Sequence, residues 1–468
     1  MPTLQIITLN KSMNISSIVH QQRQFWQQGS PQNVDFRIQQ LKLLQQLITE
    51  NEELILQALG LDLRKPALES YGAEISLVLG EIKYTLQHLR QWVKPQSVST
   101  PLSLLPGSSQ VISQPLGVVL VISPWNYPFQ LLIAPLVGAI AAGNCTILKP
   151  SELAVHTSQV IAELIPKYFQ PEYIAVVEGD KTATQALLAE KFDHIFFTGS
   201  TAIGKIIMAK AAETLTPVTL ELGGKSPCIV DRGVDLEVTA RRIVWGKFMN
   251  AGQTCVAPDY LLVQREIKSA LLAKIQDCLQ EFYGADPAAS QDYSRIINNF
   301  HWQRLTNLLG AGKIVIGGQV DQVDRYIAPT VIDQVTWDDP VMQEEIFGPI
   351  LPVLEYETLE GAIEQINTQA PPLALYFFSD DRRHQQQVIT KTKSGGVCIN
   401  DTILHLASPE LPFGGVGSSG LGSYHGKASF TTFSHQKSIL TKSRFLDLKF
   451  RYPPYTEAKL KLLKFFLG

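Results

Sequence analysis

From Pro95 to Leu148 the chain carries no charged residue at all, so any fold it adopts must take much of that stretch out of water. A membrane span would need about 20 apolar residues without interruption. Pro115, Gly117, Pro124, Asn126, Pro128, Pro135, Gly138, Gly143 and Asn144 break the run too often for that. The stretch instead reads as buried strand, turn and helix. Gly117 to Ile122 is a short β-branched run, Leu131 to Ala142 a small-residue apolar segment suited to a buried helix, and Cys145 to Leu148 a second strand.

Further short apolar runs at Ile174 to Val177 and His194 to Phe197 alternate with helical stretches, the pattern of βαβ units and a parallel sheet. A second round follows Gly223 and Gly224, with strands at Cys228 to Val230, Tyr260 to Val263 and Gly396 to Ile399, and helices at Glu237 to Phe248 and Lys268 to Phe282. The boundary between the two rounds is placed near Glu221 to Gly224. Before the first round lie helices at Ile18 to Trp26, Asp35 to Leu59 and Glu74 to Trp92, and Ser97 to Gln114 reads as an extended excursion. At about 150 residues per domain, 468 residues hold two or three domains.

Forty basic residues against 43 acidic ones leave a net charge of −3, so no global field draws the protein to nucleic acid or to an anionic membrane. The five cysteines are odd in number, far apart and without a Cys-x-x-Cys pair, which points to a reducing, cytoplasmic setting. Met1 to Asn10 has no pattern of a secretory signal. At the other end, Lys459, Lys461 and Lys464 are interleaved with Leu460, Leu462, Leu463 and Phe465, a basic and apolar tail suited to a membrane surface or to packing against a partner.

Phe197 leads into Thr198-Gly199-Ser200-Thr201-Ala202-Ile203-Gly204-Lys205, a strand entering a glycine turn that opens a helix, where backbone N–H groups and the helix dipole favour phosphate. Ile206 stands where a P-loop needs Ser or Thr, and Thr201 where a standard dinucleotide fingerprint needs its middle glycine. Gly415 to Gly420 keeps the glycine pattern but follows Leu411-Pro412-Phe413 rather than a strand, and reads as a conformationally demanding loop. Cys255 follows the turn at Gly252; were that turn to open a helix, its thiolate would be favoured and the sulfur a nucleophile, against the ordinary reading of a small core residue. Glu221 ends a β-prone run against two glycines, as a general base in a cleft or a surface carboxylate. The Asn126 amide is an oxyanion donor or an Asx-turn. Glu344 to Pro349 is a turn whose carboxylates suit ribose hydroxyls. The nine histidines show no zinc spacing, so no metal site is expected, and there is no Gly-x-Ser-x-Gly elbow.

Taken together, Pro124 to Pro128, Leu148 to Glu152, Phe197 to Gly204, Glu221 to Pro227, Trp245 to Tyr260, Glu344 to Pro349 and Leu411 to Phe433 resemble the aldehyde dehydrogenase superfamily. Gly246 to Asn250 and Ser423-Tyr424-His425-Gly426 resemble its class 3 branch. The resemblance implies an α/β fold with a Rossmann-type cofactor domain on a parallel sheet (1–96 and 115–221), an α/β catalytic domain (222–400), a small β oligomerisation arm (97–114 and 401–440) and a C-terminal tail (441–468). It implies that Cys255 is the nucleophile, that Asn126 and the Cys255 backbone N–H form an oxyanion hole, and that Glu221 activates water. Lys149 and Glu152 would hold the adenosine ribose, Ser200 in the Gly199 to Gly204 turn the pyrophosphate, and Glu345 with Phe347 the nicotinamide ribose and ring. The implied cofactor is NAD, with NADP tolerated, and the implied assembly a homodimer.

The implied reaction oxidises aldehydes, medium- or long-chain, aromatic or isoprenoid-derived, to carboxylic acids through a thiohemiacetal and a thioester on Cys255. A coenzyme-A-acylating relative is the nearest rival, against which Glu221 speaks because such relatives commonly lack that carboxylate. A non-catalytic binding protein on the same fold is the rival from another class.

Overall fold

The computed structural model describes residues 15–445, 447 and 451–467. The reading of Met1 to Asn10 lies outside them. Among the described residues the strands in chain order are β1 (Gln96–Val98), β2 (Gly107–Pro115), β3 (Val118–Ile122), β4 (Cys145–Lys149), β5 (Ile174–Val176), β6 (His194–Thr198), β7 (Val218–Glu221), β8 (Pro227–Val230), β9 (Tyr260–Gln264), β10 (Lys313–Ile316), β11 (Val320–Asp321), β12 (Tyr326–Ile327), β13 (Thr330–Asp333), β14 (Ile350–Tyr356), β15 (Ala374–Phe378), β16 (Gly396–Ile399), β17 (Gly420–Leu421) and β18 (Ser434–Lys442).

The charge-free stretch becomes the middle of the first sheet. β3 and β4 are buried at every residue and pair in parallel, and the helix Gln130–Ala142 between them is buried on all sides. That explains why its residues are small and apolar all round rather than striped. The sheet order is β17-β7-β6-β3-β4-β5, parallel except for β17, which pairs antiparallel with β7. Strand order reverses between β3 and β6, and the crevice beyond the carboxyl ends of strands at such a point is where open α/β sheets take ligands. The loop carrying Asn126 leaves β3 there, and the Gly199 turn leaves β6.

Across Leu222–Ser226 the chain passes to a second sheet of order β10-β13-β14-β9-β8-β15-β16, parallel except for β10. The two parallel sheets are the α/β architecture the alternation predicts. β1, β2 and β18 form a separate antiparallel sheet. The β arm expected from 97–114 and 401–440 is thus narrower. Of the later segment only the strand starting at Ser434 joins it, while Gly420 and Leu421 extend the first sheet beside Glu221.

The single helix expected over Asp35 to Leu59 is two, Val34–Glu50 and Glu52–Leu63. Asn51 parts them, its side-chain N–H donating to the Leu47 carbonyl at 2.8 Å and to Tyr168 Oη at 3.1 Å. No helix among the described residues is long and apolar enough to cross a membrane.

Candidate active site

Cys255 opens no helix. It sits in a turn closed by the Ala257 N–H on the Thr254 carbonyl at 3.0 Å, just ahead of β9. No helix dipole therefore supports a thiolate. Burial pushes the thiol up to about 12, and the nearby Glu345 and Glu221 carboxylates push in the same direction. The expectation of a helix N-terminus behind Cys255 is corrected on this point.

The loop ahead of the cysteine is strained. Asn250, Ala251 and Gly252 follow one another in the left-handed region with φ of 51°, 50° and 72°, and only the last is a glycine. A side chain at Gly252 would overlap the Gly348 carbonyl. Buried polar anchors hold this path. The Asn250 side chain donates to the Asn126 carbonyl at 2.8 Å, and Gln253 donates to the Asn250 and Arg295 carbonyls at 2.9 and 3.0 Å while accepting from Ile297 N–H at 3.0 Å. The Asn126 amide donates to the Gln253 carbonyl at 3.0 Å, which fixes it two residues from Cys255. Tyr127 Oη and Thr254 Oγ1 meet at 2.7 Å. The Asn126 carbonyl also accepts from Lys65 Nζ at 3.1 Å, and Lys65 forms a fully buried ion pair with Glu74 at 2.5 Å. Glu74 in turn accepts from the Phe129 and Gln130 N–H groups at the start of the buried helix.

Glu221 ends β7 with its backbone carbonyl accepting from Gly199 N–H at 3.0 Å, so the glycine turn and the carboxylate share one anchor. Both carboxyl oxygens of Glu221 are buried without a hydrogen-bond partner among the described residues, and burial raises its pKa well above the ordinary value. A buried polar group so placed needs water or a ligand. Glu345 lies against the glycines at the seam: a side chain at Gly223 would overlap its carboxylate. Burial raises Glu345 to about 8, with Asp259 adding to the rise. Its loop is tied down by Ile346 N–H on Asp259 at 2.9 Å, by Arg304 on the Ile346 carbonyl at 2.6 Å, and by Lys225, which pairs with Asp259 and donates to the Glu344 carbonyl at 3.0 Å. Phe347, at φ 49°, meets the Trp125 ring edge-on at 5.4 Å.

Lys149 and Glu152 lie apart from Glu221, at the end of β4, with β6 and β3 between β4 and β7. The ammonium of Lys149 is buried, donates to the Pro150 carbonyl at 2.7 Å and reaches the half-exposed Glu152 at 3.4 Å. Ser200 caps the helix Thr201–Ala212, and a Cβ at Gly204 would stand 2.7 Å from Leu222, so glycine lets that helix lie close to the strand. These residues fit a dinucleotide: a helix N-terminus for the pyrophosphate, a cation and an acid for one ribose, and a carboxylate at the seam for the other.

A cavity of about 710 Å³ reaches Cys255 from outside. Its wall is mostly apolar and aromatic, with Tyr71, Leu131, Trp245, Phe282 and Phe413 among its residues and Gln130 and Thr254 among its polar ones. Sequence reading missed the wall, the Gln253 and Asn250 anchors, and the Lys65–Glu74 pair. It also left the glycine loop after Leu411 without a place: Ser419 accepts Leu222 N–H at 3.1 Å, so that loop closes over the strand of Glu221. The hint was available in two quoted runs, since Asn250 and Tyr424 fall within them. Lys65, Glu69 and Glu74 carry no local signal.

A parallel sheet whose switch-point crevice carries a glycine turn opening a helix is the architecture of nucleotide-binding α/β proteins. Within that class the chain belongs to the aldehyde dehydrogenase family, whose model, described as "Aldehyde dehydrogenase family", matches residues 7–439. It is 50% identical over 443 residues to the "Aldehyde dehydrogenase, dimeric NADP-preferring" of Mus musculus, covering 94% of this chain and 98% of the relative. It is 49% identical over 444 residues to the "4,4'-diaponeurosporen-aldehyde dehydrogenase" of Staphylococcus aureus, covering 94% and 96%. A solved substrate-bound structure of Staphylococcus aureus AldH superposes with a TM-score of 0.94 at 48% identity, covering 97% of this chain and 99% of the other. The protein is therefore an oxidoreductase that acts on aldehydes with NAD or NADP.

Proposed function

We propose that this enzyme oxidises medium- to long-chain aliphatic, aromatic or isoprenoid-derived aldehydes to free carboxylic acids, with Cys255 as nucleophile. The observation that carries the reading is an apolar cavity that ends at one cysteine, with the Asn126 amide anchored to the same loop two residues away and two buried carboxylates whose charges act on the sulfur. The Staphylococcus aureus relative named for 4,4'-diaponeurosporen-aldehyde supports the bulky apolar end of that substrate range. The bound nicotinamide supplies the hydride acceptor. The chain's own residues do the rest. The thiol proton passes to one of the two carboxylates whose charges act on the sulfur, and from it to solvent, as sulfur bonds to the aldehyde carbon. The free N–H of the Asn126 amide and the Cys255 backbone N–H hold the oxyanion that forms. Loss of hydride leaves a thioester on Cys255. Glu221 then takes a proton from water, hydroxide adds to the acyl carbon, and the thiolate departs with release of the acid.

Lys149 and Glu152 bind the adenosine ribose, and the carboxylate of Glu152 disfavours a 2′-phosphate, so NAD is preferred over NADP. The Gly199 to Gly204 turn with Ser200 takes the pyrophosphate, and Glu345 with Phe347 the nicotinamide end. The cofactor unit comprises 1–96 and 115–221 and the catalytic unit 222–400. The test is a panel of aldehydes graded in length and aromaticity with both cofactors. Expected are reduced cofactor and free acid in equal amounts, with no acyl-coenzyme A when coenzyme A is present, and a higher kcat/KM with NAD. Acyl-coenzyme A as the product, or a strong NADP preference, refutes the corresponding part.

The working form is a cytoplasmic homodimer built through the β1-β2-β18 arm, a reading supported by the arm's exposed edge residues and the mouse relative's description as dimeric. The helix Glu457–Leu467 rests on membrane surfaces, a reading supported by its exposed Leu460, Leu463 and Phe465 alternating with lysines. Full-length protein is expected to sediment with anionic liposomes more than a chain ending at Arg451; equal sedimentation removes this assignment.

A further inference from the structure

Glu69 belongs to none of the roles above, yet it lines the substrate cavity and touches the strained loop directly. Its carboxylate accepts the backbone N–H of Asn250 at 2.9 Å. That N–H belongs to the first of the three left-handed residues, two of which have a Cβ and hold the conformation only if their surroundings enforce it. The other anchors of the loop act on side chains and carbonyls: the Asn250 amide, the Asn250 carbonyl and the Gln253 amide. The bond from Glu69 fixes the peptide that enters the run, and it comes from a different layer, the helical segment Ala67–Ser70 packed outside the two sheets. The run leads into Gln253, whose carbonyl holds the Asn126 amide, and two residues later the chain presents Cys255.

We propose that Glu69 is a positioning residue that keeps the Asn250–Gly252 run left-handed and so holds the Cys255 sulfur in register with the Asn126 amide. The inference rests on the reading of Cys255 as nucleophile. Its consequence is specific, because the role needs an acceptor oxygen at position 69 and is needed only while residues 250 and 251 resist the left-handed region. Gly has no such resistance. Ala251 is buried and contributes only a methyl group, so Ala251→Gly relieves the strain with little other change.

The test compares Glu69→Ala, Glu69→Gln, Ala251→Gly and the double variant Glu69→Ala with Ala251→Gly in the full-length enzyme. Readouts are kcat and KM for hexanal, and amide hydrogen exchange of the peptide containing Asn250 in the cofactor-free protein. For Glu69→Ala, kcat is expected to fall about tenfold, as loss of one strain-holding contact implies, with KM changed less than about threefold and Asn250 exchanging faster. Glu69→Gln, which keeps an acceptor oxygen, recovers most of both. Addition of Ala251→Gly reduces the kcat loss to about threefold or less. A kcat loss that neither Gln at 69 nor Gly at 251 relieves, an effect confined to KM, or unaltered exchange at Asn250 overturns the proposal. The exchange readout needs no catalysis, so failure of the nucleophile assignment, seen as retained turnover in Cys255→Ala, is distinguished from failure of this inference.

Discussion

Cys255→Ala is expected to cut turnover of any aldehyde by about 10⁴-fold or more, the scale seen when a covalent nucleophile is removed. The magnitude follows from what else the cavity offers. Thr254 and Tyr127 are engaged with each other at 2.7 Å, and Tyr127 and Tyr424 have phenols pushed well above their ordinary range by burial, so neither provides an oxyanion nucleophile near neutral pH. Among the described residues no second cysteine lines the cavity. The loop geometry rests on Asn250, Gln253 and Asn126 rather than on the sulfur, so the variant is expected to fold and to bind NAD with nearly the wild-type affinity. The checks are steady-state rates with hexanal and benzaldehyde beside a direct titration with NAD. An alanine enzyme that keeps most of its turnover would remove the covalent route.

How much of this was legible in the chain differs between elements for physical reasons. β3, β4 and the helix between them could be read because each is buried throughout, and a core of that kind excludes charge in sequence as it does in space. The break at Asn51 was not legible: its side chain bonds a local carbonyl and a distant Tyr168, and no periodicity reports a tertiary partner. At the site, Glu221 was recognisable beside its two glycines, and the structure explains the glycines, since Glu345 needs the space a side chain at Gly223 would occupy. The helix-dipole argument for a thiolate at Cys255 does not hold. A glycine turn before a cysteine suggested a helix N-terminus, whereas here the glycine completes a left-handed run and the next regular element is a strand. The cavity wall is drawn from at least five separate segments, among them Tyr71, Leu131, Trp245, Phe282 and Phe413. Such a wall has no linear signature, so substrate shape became visible only in the fold.

For Glu221→Gln the expected result is a first turnover that still reduces one equivalent of NAD per site, followed by a steady state slower by about 10²- to 10³-fold, the usual contribution of a general base. The substitution keeps the shape of the side chain. Its backbone carbonyl continues to hold Gly199 N–H, so the cofactor turn is undisturbed. Hydride loss is expected to survive because the thiol proton can leave through a route other than Glu221, to Glu345, whose charge also acts on the sulfur, or to solvent in the open cavity. Deacylation has no such substitute, because an amide cannot take the proton that water must lose. The pH dependence follows in sign. Burial raises the pKa of Glu221, so its basic form accumulates as pH rises through that raised value, and wild-type steady-state turnover should climb over the same interval. The glutamine enzyme should lack that climb while its burst remains. Rapid-mixing measurement of reduced cofactor across pH separates the two phases. A variant with an undiminished steady state would reassign the base and leave the nucleophile untouched, whereas loss of the burst itself would show that Glu221 is the acceptor of the thiol proton as well.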